Sequence, residues 1–89
     1  MRVTVYTQSF CQPCRATKRK LGQLGIPYYE VPVDRNPDAL DLIKSWGFTS
    51  APVVRVDLGD GATWTWYGYA PTQIARLANE IIAKEELAA

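Results

Sequence analysis

The spacing of apolar residues changes period several times along the chain, and each change marks an element. Val3 and Val5 alternate with Arg2 and Thr4, and Tyr6 follows, which is the period of two of a short β-strand. From Pro13 to Leu24 the apolar or small positions Cys14, Thr17, Leu21 and Leu24 fall at helical spacing, and Gly25 supplies a stop. Tyr28 to Val33 is aromatic and β-branched and reads as a second strand; Pro32, which cannot donate to a ladder, makes it short or an edge. Asn36 and Pro37 form a helix start, N-cap then first turn. Ala39, Leu42, Ile43 and Trp46 give that helix an apolar face, and Gly47 ends it.

Val53 to Val56 reads as a third strand, Asp57 to Gly61 as turn chemistry, and Thr63 to Trp66 as a fourth strand returning in a hairpin. Pro71 opens a last helix whose apolar face is Ile74, Leu77, Ala78, Ile81 and Ile82; the tail from Lys84 to Ala89 is expected to fray. The order is β-α-β-α-β-β-α. The first βαβ unit should be parallel and right-handed and the hairpin antiparallel. A small mixed α/β sheet with helices on its faces follows, as one domain over residues 1–89.

Charge narrows the field without naming a function. Ten basic and nine acidic residues give a net +1, so no bulk field points to nucleic acid or to a membrane. Arg15, Lys18, Arg19 and Lys20 read as the solvated face of the first helix. No stretch has the 18 or so consecutive apolar residues of a membrane helix, and the N-terminus lacks the form of a signal peptide. Asp57, Asp60 and Gly61 hint at a calcium loop but lack its other ligand positions, so they read as a hairpin turn.

The candidate chemistry is Phe10-Cys11-Gln12-Pro13-Cys14, which holds both of the chain's cysteines. A zinc site needs about four ligands; two cysteines and no histidine leave only a site shared between two chains. A disulfide framework needs more cysteines, so a reducing, cytoplasmic setting is expected. Cys-x-x-Cys between a strand and a helix is a redox signal. The first turn of a helix has free N–H groups and a partial positive charge, which favour a thiolate. Cys11, nearer the helix start and expected to be more exposed, takes the role of nucleophile, and Cys14, one turn in, that of resolving thiol. Pro13 stiffens the loop. Arg15 either favours the thiolate from the same helix face or is a solvated surface cation.

Tyr6-Thr7, the Cys11–Cys14 motif, Thr49-Ser50-Ala51-Pro52-Val53-Val54 and Trp66-Tyr67-Gly68-Tyr69-Ala70-Pro71, in that order over nearly the whole chain, resemble an NrdH-type redoxin of the glutaredoxin family. The resemblance implies a thioredoxin-like fold with four strands in the order 2-1-3-4 and three flanking helices. It implies a dithiol electron carrier, and a monomer that binds no cofactor itself is expected. Its electrons would come from thioredoxin reductase, which holds the NADPH and FAD, and pass to class Ib ribonucleotide reductase or another disulfide-bearing protein. It also implies a cis peptide bond before Pro52, with Ala51 beside the dithiol to pair with an extended substrate and Thr49 and Ser50 lining the approach.

Several positions depart from the family pattern. Gln8-Ser9 stand where glutaredoxins carry Lys-Pro, and a single Gly68 stands where glutathione-using members carry a Gly-Gly pair and an Asp; both argue against a glutathione pocket. Tyr67, Tyr69, Ala70 and Thr72 differ from the NrdH motif Trp-Ser-Gly-Phe-Arg-Pro-Asp, and Gln12-Pro13 is closer to the Cys-Gly-Pro-Cys loop of thioredoxin. Tyr67 and Tyr69 beside Gly68 form either an aromatic rim near the dithiol or ordinary packing, whereas Trp64 and Trp66 share one strand face as sheet cover. Two alternatives stay open: a glutathione-dependent glutaredoxin, and a non-catalytic redox-sensing or metal- or cluster-bridging module.

Overall fold

The computed structural model describes residues 1–88, with side chains as far as Ala83. β1 (Arg2–Thr7) is followed by α1 (Gln12–Gln23), β2 (Tyr29–Pro32), a 3-10 turn (Val33–Arg35), α2 (Pro37–Ser45), β3 (Val53–Asp57), β4 (Thr63–Tyr67) and α3 (Pro71–Ala88). The four strands form one sheet in the order β2-β1-β3-β4. β1 runs parallel to β2, with Val5 opposite Glu30. It is antiparallel to β3, with Val5 opposite Val54, and β3 is antiparallel to β4, with Val54 opposite Trp66. This is the order and connectivity that the sequence pattern and the family resemblance imply.

Because side chains alternate across a strand, the sheet has two buried faces. Val3, Val5, Val54, Val56 and Trp66 meet Leu21 of α1 and Ile74 and Leu77 of α3 on one side. Tyr6 and Val53 meet Val33, Ala39 and Ile43 on the other. Both central strands, β1 and β3, are therefore packed from two sides, and the loops at their ends start from this core. Asn36 caps α2 as expected, its side chain accepting the Ala39 amide at 3.1 Å. α1 and α2 both end in paired backbone bonds of the Schellman type, Ile26 N–H to Leu21 and Phe48 N–H to Ile43.

The structure revises several boundaries. β2 is an edge strand, as Pro32 suggested, but it stops there, and Val33 turns inward in the 3-10 segment instead of extending the strand. Leu24, Leu42 and Ile82 were expected on apolar helix faces and are exposed. Leu24 is the C-cap of α1, past its last regular turn. In α2, Leu40 packs against the core and the buried stripe is rotated toward it, which leaves Leu42 outside. Leu24 and Ile82 instead line a groove of about 480 Å³ with Met1, Pro27 and Ile81, at the end of the sheet opposite the cysteines. α3 keeps helical backbone to Ala88, so the fraying expected from Lys84 is not seen there; the side chains from Lys84 and the whole of Ala89 lie outside the described residues.

Candidate active site

The site forms where β1 ends and α1 begins. Thr7 closes β1, three residues cross the sheet edge, and Cys11 is the N-cap of α1 with extended backbone (φ −111°, ψ 102°). Its Sγ accepts the Cys14 backbone N–H at 3.1 Å, so the sulfur fills the capping role that a Ser or Asp oxygen takes elsewhere. Pro13 sits in the first turn, where a missing N–H costs no helical bond. Cys11 and Cys14 are joined in a disulfide, with Cα atoms 5.2 Å apart. Cys11 is 6% exposed and Cys14 2%. The order is the expected one, but the first sulfur is sheltered rather than open.

The third wall is Ala51. It is buried against both cysteines, and its carbonyl oxygen lies 3.9 Å from Cys11 Sγ. The disulfide sulfur carries no hydrogen, so this is a contact in the oxidised protein; after reduction the same oxygen can accept from the thiol. The Ala51–Pro52 peptide bond is cis and Pro52 is fully buried. The Pro52 carbonyl accepts the Gly68 amide at 2.8 Å, which ties the loop after β4 to the loop before β3. Thr49 is exposed and Ser50 half-buried on the approach to Ala51.

Other expected site residues stand further from the sulfurs. Gln12 is exposed. Arg15 is exposed too; its amide donates to the Cys11 carbonyl at 3.2 Å, and its guanidinium makes no ion pair among the described residues. Tyr67 and Tyr69 are exposed. Tyr67 stacks on Phe48 with ring centroids 6.3 Å apart, which is the packing reading of that ring. Among the described residues no group of three or more His, Cys, Asp or Glu side chains could hold a metal ion, and no helix is long and apolar enough to cross a membrane.

Sequence reasoning missed the flank beside β2. Ser9 donates both its N–H and its hydroxyl to Asp34, at 3.1 and 2.6 Å, across 25 residues of sequence. These bonds hold the Asp34 carboxyl below its usual range. Thr7 donates to Glu30 at 2.9 Å and Lys18 pairs with the same oxygen at 3.0 Å. The Lys18 hydrogen bond is the main reason that the Glu30 carboxyl is also lowered. Phe10, between Ser9 and Cys11, was read only as part of the motif; its ring is 97% exposed. No local pattern in the sequence marks any of these.

A thiol pair at a helix start, sealed by a cis-proline loop, is an arrangement for dithiol–disulfide exchange. The family model for glutaredoxin matches residues 3–58. The chain belongs to the glutaredoxin family. Within it the chain is 39% identical over 77 residues to the glutaredoxin-like protein NrdH of Escherichia coli K12, covering 86% of this chain and 89% of that protein. It is 30% identical over 76 residues to NrdH of Lactococcus lactis subsp. cremoris, covering 85% of this chain and 99% of the relative. The solved structure of the E. coli NrdH-redoxin superposes with a TM-score of 0.75, covering 86% of this chain and 95% of that one. Chloroplastic thioredoxin z, 20% identical, shares the fold with a TM-score of 0.71, covering 91% of this chain and 77% of its own. This glutaredoxin-family chain is therefore an NrdH-like thiol–disulfide oxidoreductase with a Cys11–Cys14 disulfide.

Proposed function

We propose that the protein is a dithiol electron carrier that receives electrons from thioredoxin reductase and delivers them to class Ib ribonucleotide reductase, without using glutathione. In the reduced form the Cys11 thiolate attacks a partner disulfide and releases one partner thiolate. Cys14 then attacks the mixed disulfide at Cys11. The carrier ends as the Cys11–Cys14 disulfide and the partner as two thiols, so two electrons and two protons have moved. The reductase, with its FAD and NADPH, reverses the change. The carrier acts as a monomer in the reducing cytoplasm and needs no cofactor of its own.

The observation that carries the choice of reductant is the Ser9–Asp34 clamp. Where glutaredoxins place a lysine for a glutathione carboxylate, this chain has Gln8, and the next residue is bound to a carboxylate. Glu30 lies on the same flank. Lys18 pairs with Glu30, which leaves the Ser9-bound Asp34 carboxylate as the acidic group on the flank where a glutathione carboxylate would need a cation. The E. coli relative, described as a glutaredoxin-like protein with a thioredoxin-like activity profile, supports the same side of the choice.

The test is NADPH consumption during reduction of a model disulfide, once with thioredoxin reductase and once with glutathione and glutathione reductase. Turnover with thioredoxin reductase alone is expected. Turnover with glutathione alone would make the protein a glutathione-dependent glutaredoxin. The ribonucleotide reductase assignment is tested by adding the class Ib enzyme as the only disulfide and measuring deoxyribonucleotide formation.

A further inference from the structure

Phe10 is placed against both of its own preferences. Its φ is +57°, and it is the one non-glycine residue at positive φ among the described residues. That region suits glycine or asparagine and crowds the Cβ of an aromatic residue. Its ring is 97% exposed, so the strain is not offset by burial. The conformation is nevertheless held from both sides: Ser9 is bound twice to Asp34, and Cys11 is fixed as the N-cap of α1. Strain of this kind, held by its surroundings, clusters at sites of function. Packing cannot account for the ring, and glycine would serve the backbone better.

What distinguishes position 10 is its neighbour. The Phe10 ring stands in solvent one residue before Cys11, whose sulfur is covered by Ala51. Exposed Tyr69 follows Gly68, which is bonded to Pro52 in the adjoining loop. We infer that Phe10 is a docking residue for a polypeptide disulfide, receiving an apolar side chain that flanks the partner's reactive cysteine. The inference rests on the carrier reading above and adds a substrate preference to it: protein disulfides with apolar flanks over small or polar ones. The step is the exchange already described, with the Cys11–Cys14 dithiol as reductant and the partner disulfide as oxidant.

The experiment uses the full chain, pre-reduced and freed of reductant, and follows the rate of reduction of three disulfides. One is a disulfide peptide with Leu beside its cysteine, the second is the same peptide with Ser there, and the third is cystine. Phe10→Ala should lose about tenfold in rate on the Leu peptide, the scale of one lost apolar contact, and stay within about twofold on the other two. Phe10→Gly should show the same selective loss while its Tm rises, because glycine accepts the positive φ. Wild-type rates for both variants on the Leu peptide would overturn the inference. So would an equal loss on all three disulfides, which would place the ring's effect on the dithiol itself. If the wild-type protein reduced none of the three, the carrier reading would fall, whatever the variants did.

Discussion

The Cys14 backbone amide donates to the Cys11 sulfur at 3.1 Å across the first turn of α1. One donor thereby serves both states of the protein: it caps the helix in the disulfide form and can stabilise a thiolate after reduction. Reduced Cys11 should consequently react as a thiolate at lower pH than a free cysteine, whose pKa is about 8.5. The check is the pH dependence of its alkylation rate. A midpoint at or above the free-thiol value would mean that the amide and the helix terminus do not act on the sulfur.

Gly68 tests how the loops around the dithiol are held. Its φ is +83°, its amide is bonded to the Pro52 carbonyl, and an added Cβ would meet nothing within 4 Å. Gly68→Ala should therefore cost only the conformational penalty, about 1–2 kcal/mol, with no steric addition. Thermal unfolding of the variant gives the number. A cost near zero would mean that the loop relaxes to negative φ.

The carboxylates beside β2 give a pH signature. Glu30 is held below its ordinary value of 4.5 chiefly by the Lys18 hydrogen bond. A lowered folded pKa contributes stability that is present above the unfolded value and is lost as pH falls through the folded one. The pair is more than one third exposed at Glu30, so solvent screening keeps its contribution below about 1 kcal/mol. The stability difference between wild type and Glu30→Gln should be level near neutrality and shrink below pH 4.5. Asp34, lowered by Ser9, predicts that exchange of the Ser9 amide quickens in Asp34→Ala, with NMR as the readout.

The core should divide by burial and not by hydrophobicity. Ile43 and Ile74 are fully buried on opposite faces of the sheet, and truncation of either to Ala should cost about 2–5 kcal/mol in denaturant unfolding. Leu24→Ala, at an exposed helix cap, should stay within about 0.5 kcal/mol. Equal losses at Leu24 and Ile43 would contradict the burial assignment.

That contrast also shows what a sequence pattern can and cannot carry. Local periodicity marked Val3 and Val5, Ile74 and Leu77, and the Asn36 cap because each is governed by neighbours within a turn or two. It placed Leu24, Leu42 and Ile82 in the core because period alone does not say where a helix ends or which way its stripe is turned. The strand order came from the family motifs, since nothing local pairs β1 with β3. Within the site, Cys11, Cys14, Ala51 and Pro52 were readable as motif residues, and the structure brings them together. The Ser9–Asp34 bonds were not readable: they join residues 25 apart in sequence, and either residue alone reads as a polar side chain in water. Phe10 looked like an apolar motif position, and only its backbone angle and exposure set it apart.

The central claim is the division of labour between the two sulfurs, Cys11 attacking and Cys14 resolving. The most direct test mixes Cys14→Ser and Cys11→Ser, separately, with a disulfide-bearing protein and reads intact mass under non-reducing conditions. The account predicts a stable mixed disulfide through Cys11 in Cys14→Ser and none in Cys11→Ser. A covalent complex in Cys11→Ser alone would contradict it and make Cys14 the attacking sulfur.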